Sequence, residues 1–206
     1  MNSKKLTFLV IILLIADQVL KIWVKTHMTL GEAIVLIPDW FKLYFIENNG
    51  AAFGMRITTT GTWDWGKLVL SLFRIGMIGL LIWLINRSIR KKAPKGVLIG
   101  FAAILAGAIG NMIDSAFYGL IFSASTPQTV AHFGGSYASF MMGKVVDMFY
   151  FPLFQWENVP RFLSFLVDNK GYFFGAVFNL ADAYISIAVI YLLIFKYKYF
   201  DKEGFI

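Results

Sequence analysis

Two aspartates in apolar surroundings carry the chemistry this chain could do. Asp182 lies in Phe178-Asn179-Leu180-Ala181-Asp182, inside an apolar run from Phe173 to Phe195. An ionisable carboxyl at membrane depth costs from a few to roughly 10 kcal/mol, so it is paired, wet or functional. Asp147 closes Lys144-Val145-Val146-Asp147. Two carboxyls sharing one site hold a single proton between them. One can then take a proton from water while the other gives one to a carbonyl. On chemistry alone this reading stands level with a plainer one. Asp147 would then be an exposed loop residue and Asp182 a hydrogen bonder between helices.

Further polar residues surround these two. Asn111-Met112-Ile113-Asp114 and Asn179-Leu180-Ala181-Asp182 repeat the pattern Asn-x-x-Asp. On a helix, positions i and i+3 are neighbours, and an Asn amide can donate to a carboxylate or a peptide carbonyl. Polar glue between helices is the alternative. Asp17 and Lys21 are i,i+4 and read as a structural ion pair. Asn48-Asn49-Gly50-Ala51-Ala52-Phe53-Gly54 reads as a turn of small residues where backbone could approach a ligand. Arg74, inside an apolar run, reads as structural, snorkelling or facing the bundle.

Composition dictates what must position these residues. The 206 residues are 58% hydrophobic and 15% charged, outside the usual soluble range. The apolar residues fall in long runs, as in an integral membrane protein. Spans are expected at roughly 6–24, 68–85, 96–113 and 173–195, in one domain covering 1–206, with non-spanning segments 25–66 and 114–172. The short apolar start resembles a signal peptide, but no small-x-small cleavage site follows, so a retained helix is expected. Residues 34–46 read as two strands around Pro38-Asp39. Ser123 to Gly143 reads as a mobile loop, and the aromatic segment near 152–168 as one lying along the membrane surface. The expected class is all-α with a small extramembrane sheet. With no Cys, and two His far apart, neither a thiolate metal site nor a zinc-protease motif is available.

The net charge of +7 is read as topology rather than nucleic-acid binding. Lys4 and Lys5, the cluster Arg87 to Lys95, and Lys196, Lys198 and Lys202 mark three cytoplasmic regions. Four spans with both ends inside satisfy that pattern. Asp17, Asp114, Asp147 and Asp182 then gather toward the outer side. Ion-coupled transport is the main rival, but the acids lie on one side and no inverted repeat is visible. A non-enzymatic assembly or anchoring protein is the other rival.

In order along the chain stand Asp17-Gln18-x-x-Lys21, Asn48-x-Gly50-Ala51-Ala52-Phe53, Gly110-Asn111-x-Ile113-Asp114, Val145-Val146-Asp147 and Phe178-Asn179-x-Ala181-Asp182. Together they resemble the bacterial lipoprotein signal peptidase (signal peptidase II) family over nearly the whole chain. The resemblance implies an aspartic endopeptidase of the inner membrane. It would cut signal peptides from prolipoproteins before a diacylglyceryl-modified Cys, with its site on the periplasmic side. It implies Asp147 and Asp182 as the catalytic pair, and a periplasmic surface helix with the segment near 152–168 as its candidate. Asp17, Lys21, Asn48, Gly50, Asn111, Asp114 and Asn179 would shape the site or hold substrate. It implies no metal or organic cofactor, no nucleic acid and no obligate protein partner. The partners would be the lipidated prolipoprotein and membrane lipid. Two departures stand out. Ser115 follows Asp114 where the family usually has Arg, so charge there must come from elsewhere, with Arg74 and Lys144 as candidates. The connection 116–143 is also long.

Overall fold

The computed structural model describes residues 2–48, 59–60, 63–156, 158–160, 164, 167, 171–173 and 175–202. Helix α1 (Ser3–His27) leads into strands β1 (Ala33–Ile37) and β2 (Phe41–Asn48). A two-stranded ribbon follows, β3 (Thr59–Thr60) with β4 (Trp63–Asp64). Next come α2 (Trp65–Arg90) and α3 (Lys95–Ile113), a π turn (Asp114–Tyr118) and the short α4 (Gly119–Ile121). Strands β5 (Val145–Tyr150) and β6 (Val177–Phe178) precede α5 (Leu180–Phe195) and α6 (Tyr197–Lys202).

Among the described residues, three helices are long and apolar enough to cross a membrane: Ser3–His27, Trp65–Arg90 and Lys95–Ile121. A fourth apolar helix, α5, has 16 residues. The third helix therefore runs past Ile113, where the sequence placed its end, through the π turn to Ile121. Ser115 Oγ donates to the Asn111 carbonyl at 3.1 Å, a back-bond of the kind that distorts helices.

The last helix departs more from expectation. It starts at Leu180, whereas the apolar run predicts a span from Phe173. Val177 and Phe178 instead form β6 against Tyr150 and Phe149. Phe178 adds ring contacts with Phe149 and Phe151. An apolar aromatic run serves a buried strand as well as a helix, and periodicity cannot separate the two.

The sheet is antiparallel in the order β1-β2-β5-β6. The two strands expected around Pro38-Asp39 are β1 and β2, and Asp39 takes a positive φ of 69° between them. In the β2–β5 register Ile46 faces Asp147 and Asn48 faces Val145. This register brings the end of β2 beside the Asp of β5.

Lipid gives helices no hydrophobic drive to associate, so packing and polar contacts must hold them together. Small residues permit the closest approaches. A Cβ at Gly107 would strike the Ala181 carbonyl and the Ile185 side chain, and one at Gly110 would lie 2.5 Å from Asp17 Oδ2. Helix α2 shows the pattern in its spacing. Lys67, Ser71, Leu81, Ile85 and Ser88 are buried, whereas Val69, Leu72, Phe73 and Leu80 are exposed. One apolar cluster joins α1, α2, α3 and α5 through Leu6, Leu81, Val97, Leu98, Phe101 and Leu192. A second joins the end of α1 to the sheet and the π turn through Val24, Met28, Phe45, Tyr118, Phe122 and Met148. Along α1 and α3, the polar residues Asp17, Lys21, Asn111 and Asp114 lie between the two clusters.

The segment 123–143 is irregular, but it is tied down rather than loose. Phe122 bridges Phe133, and Tyr137 and Gly143 donate to the Gly119 and Ser115 carbonyls at 2.9 Å each. Lys25 is fully buried. It reaches Ser125 Oγ at 3.0 Å and pairs with Glu47, which also accepts from Lys144 at 3.2 Å. Much of the expected surface helix near 152–168 lies outside the described residues. The described ones there include extended bridges, Gln155 to Tyr172 and Val167 to Phe173.

Candidate active site

The two Asn-x-x-Asp patterns play different structural parts. Asn111 lies inside α3, so Asn111 and Asp114 are neighbours on a helical surface. Asn179 is the N-cap of α5, and Asp182 is its third residue. Asn179 Oδ1 accepts from the Asp182 backbone N–H at 2.9 Å, and Asp182 Oδ2 accepts from the Asn179 N–H at 3.5 Å. This reciprocal cap satisfies two amides that a helix start would otherwise leave unpaired. It also puts Asp182 in the first turn, where the helix dipole favours a negative charge. The apolar-run boundary had placed Asp182 about 14 Å down a longer helix.

Lys21 sets the direction of the hydrogen bonds. It is fully buried and pairs with Asp17 at 3.0 Å and Asp114 at 2.9 Å. The expected Asp17–Lys21 ion pair is thus present and widened to a triad. Lys21 also donates to Asn111 Oδ1 at 2.8 Å. An ammonium only donates, so the Asn111 oxygen must face it and the amide nitrogen must face away. That nitrogen donates to Asp182 Oδ1 at 2.8 Å. Asn111 Oδ1 also accepts from Asn179 Nδ2 at 3.1 Å, and the same Nδ2 donates to Asp147 Oδ1 at 2.7 Å. One buried cation therefore orients two amides, and each amide delivers a donor to one of the two aspartates.

The rest of the polar set braces this arrangement. Asp17 Oδ1 accepts from the Ala181 N–H at 2.9 Å, which ties α1 to the start of α5. Asp114 Oδ2 accepts from the Val146 N–H at 3.3 Å, one residue before Asp147. Gln18 donates to Asp114 Oδ1 at 3.0 Å and to Asp17 Oδ2 at 3.2 Å, and accepts from the Tyr118 hydroxyl at 3.1 Å. Sequence reasoning noticed Gln18 without giving it a role. Its signal was a second polar side chain beside Asp17 in an apolar helix. Asn48 hydrogen-bonds Asp147 from the end of β2. Gly50, the remaining expected site residue, lies outside the described residues.

The two aspartates differ in setting. Asp147 is 2% exposed on β5, whereas Asp182 is half-buried. Burial, and next the charge of Asp182, push the Asp147 carboxyl up to about 7; the Asn179 and Asn48 bonds and Lys21 oppose the rise. A carboxyl that keeps its proton near neutrality beside a second carboxyl is the arrangement acid–base hydrolysis requires.

Ser115 also has a partner. Arg74 Nη1 donates to its hydroxyl at 3.1 Å. Of the two cations proposed to supply charge near Ser115, Arg74 bonds it directly, while Lys144 pairs with Glu47.

The apolar helix bundle, the small sheet and the two aspartates joined through Asn179 define an integral membrane protein with a buried carboxylate site. Comparison with known proteins makes the assignment specific. The family model for signal peptidase (SPase) II matches residues 9–198. A lipoprotein signal peptidase of Porphyromonas gingivalis is 45% identical over 197 residues, covering 94% of this chain and 83% of its own. One from Amoebophilus asiaticus is 36% identical over 189 residues, covering 88% and 73%. A solved structure described as a bacterial membrane enzyme shares the fold at a TM-score of 0.61 and 21% identity, covering 93% of this chain and 92% of its own. The chain belongs to the signal peptidase II family, and it is a protease.

Proposed function

We propose that this protease removes signal peptides from diacylglyceryl-modified prolipoproteins, cutting before the lipidated Cys, with Asp147 and Asp182 as its catalytic pair. The observation that carries this reading is the Lys21-oriented amide network, which gives each of these two aspartates one Asn donor. In the proposed reaction Asp147 holds the proton the pair shares. Asp182 takes a proton from water, and the water oxygen bonds the scissile carbonyl carbon. Asp147 gives its proton to the carbonyl oxygen. The tetrahedral intermediate then collapses: Asp147 takes back the proton from the oxygen, the C–N bond breaks, and the leaving amine takes the proton held by Asp182. Asn111, Asn179 and Asn48 hold the carboxylates in place, and Asp17, Lys21 and Asp114 hold the asparagines and the strand. Gly50 is assigned to substrate contact. No metal, organic cofactor, nucleic acid or obligate protein partner enters this reading.

In the same reading α5 is a fourth span, and the protein lies in the bacterial inner membrane with both termini in the cytoplasm. The site then faces the periplasm. The basic groups at Lys4–Lys5, Arg87–Lys95 and Lys196–Lys202 support that orientation. The test uses purified protein and a diacylglyceryl-modified preprolipoprotein, with and without chelator. Cleavage before the modified Cys should resist chelator, and Asp147→Asn and Asp182→Asn should each stay folded and lose about 1,000-fold or more in rate. Full activity in either variant would remove that residue from the pair.

A further inference from the structure

Helix α2 carries three polar side chains in its first half, Lys67, Ser71 and Arg74. Their i, i+4, i+7 spacing puts them on one face of the helix. Lys67 and Ser71 are buried, and Lys67 donates to the Met142 carbonyl at 3.0 Å. Arg74 lies nine residues beyond Trp65, about 14 Å along the axis. Its neighbours Leu72 and Phe73 are exposed on the outside of the bundle. Arg74 itself turns inward, half-buried, onto Ser115 at 3.1 Å. A guanidinium held inward at that depth is costly unless negative charge faces it.

The negative charge there is that of the aspartates: Asp114 adjoins Ser115 in the chain, and Asn111, whose carbonyl Ser115 holds, donates to Asp182 at 2.8 Å, so the fields of both reach Arg74. Among the described residues, Lys21 bonds Asp17, Asp114 and Asn111 rather than either member of the pair. Ser115 is itself fixed, because its hydroxyl also donates to the Asn111 carbonyl at 3.1 Å. The bond from Arg74 therefore anchors α2 to the same helical turn that supplies Asn111 to Asp182.

We propose that Arg74 is a positioning residue for the aspartate pair: its guanidinium, seated on Ser115, supplies the positive charge that holds the pair singly ionised and ready to activate water. This rests on the assignment of Asp147 and Asp182 as the pair. Removing the cation favours protonation of the pair, so more of the enzyme carries two protons at a given pH. The acidic limb of the rate profile then moves upward. Among the described residues, the charged groups packed about the pair are Lys21 and Asp17 on α1, Arg74 on α2 and Asp114 in the π turn.

The experiment measures kcat/KM against pH for the full chain, with a diacylglyceryl-modified preprolipoprotein as substrate. Arg74→Gln, Arg74→Lys and Arg74→Gln/Ser115→Arg are compared with wild type, Asp147→Asn and Asp182→Asn. Arg74→Gln should lose about 30-fold or more at neutral pH, with the acidic limb raised by about one pH unit. Arg74→Lys should keep the rate within about fivefold and the limb in place, because it keeps the charge. The double variant returns a guanidinium beside the seat and should recover most of the loss. Its recovery also serves if Arg74→Gln alone folds poorly. A rate within about threefold of wild type in Arg74→Gln overturns the proposal. So does a rate loss with an unmoved limb and no recovery in either charged variant, which would mark Arg74 as a packing residue. Inactive Asp→Asn variants beside an active Arg74→Gln would sink this proposal alone. Active Asp→Asn variants would sink the assignment of the pair.

Discussion

Asn179 Nδ2 donates to Asp147 Oδ1 at 2.7 Å, while the oxygen of the same amide caps the first turn of α5 at the Asp182 N–H. One side chain thus sets a buried carboxyl on a strand against a carboxyl at a helix start. The starting point of α5 and the geometry of the aspartate pair are fixed together.

That double duty can be split. Asn179→Ser keeps a capping oxygen but loses the donor to Asp147. It should cost about 1–3 kcal/mol of stability from the buried groups left short of a donor and lower the cleavage rate by about 100-fold. Asn179→Ala should lose both, with about 1 kcal/mol of destabilisation from the cap and more from the unpaired buried groups. Thermal unfolding in detergent, read beside the cleavage rate, separates the two effects. Equal rates for Asn179→Ser and wild type would show that the Asp147 bond is dispensable.

The raised Asp147 carboxyl makes a signed prediction for pH. Folded, it holds its proton up to about pH 7; in an unfolded chain an Asp ionises near ~3.9. The stability this proton confers is complete below about pH 4 and is lost as pH rises through the folded value of about 7. Thermal stability of the wild type should therefore fall between about pH 4 and about pH 7, and fall less in Asp147→Asn. Cleavage by the wild type should decline above about pH 7 as Asp147 loses the proton it donates. A midpoint that moves equally in both proteins would place the proton elsewhere.

Lys21 tests the triad. Lys21→Met strips the cation from two buried carboxylates and from Asn111. Breaking a buried pair in this way costs about 3–5 kcal/mol. Asp17→Asn and Asp114→Asn added to Lys21→Met should recover part of that loss, because neutral amides need no cation. Activity should stay low in the triple variant, since Asn111 then loses the Lys21 donor that holds its oxygen away from Asp182. Melting temperatures and cleavage assays on the same preparations check both halves.

The polar residues were legible because apolar surroundings made them conspicuous. Asp17, Lys21, Asn111, Asp114, Asp147, Asn179 and Asp182 are now joined by hydrogen bonds and ion pairs. The β1–β2 hairpin was equally readable from its apolar stretches around Pro38-Asp39. The start of α5 was not, since Phe173 to Phe178 is as apolar as a membrane helix while Val177 and Phe178 pair with β5. Nor was the division of labour between the two Asn-x-x-Asp patterns, because an N-cap and an interior residue look alike until the helix boundary is known. The Arg74–Ser115 bond joins residues 41 positions apart, and no local pattern encodes such a pair. The segment after Ser123 looked mobile by composition. Its order comes from Lys25 and Glu47, distant residues that reach Ser125.

Helix α5 has 16 residues, about 24 Å of rise, against a hydrocarbon slab of about 30 Å. Where such a helix crosses a bilayer, the lipids beside it must shorten by several ångströms or meet the chain that precedes it. The rings of Phe173 and Phe178 lie in that preceding stretch. In a slab that does not thin, the first turn that carries Asp182 would sit several ångströms below the outer surface. Hydrophobic mismatch then becomes part of the reaction conditions: the thickness of the surrounding membrane sets how far water must travel to reach the carboxylates.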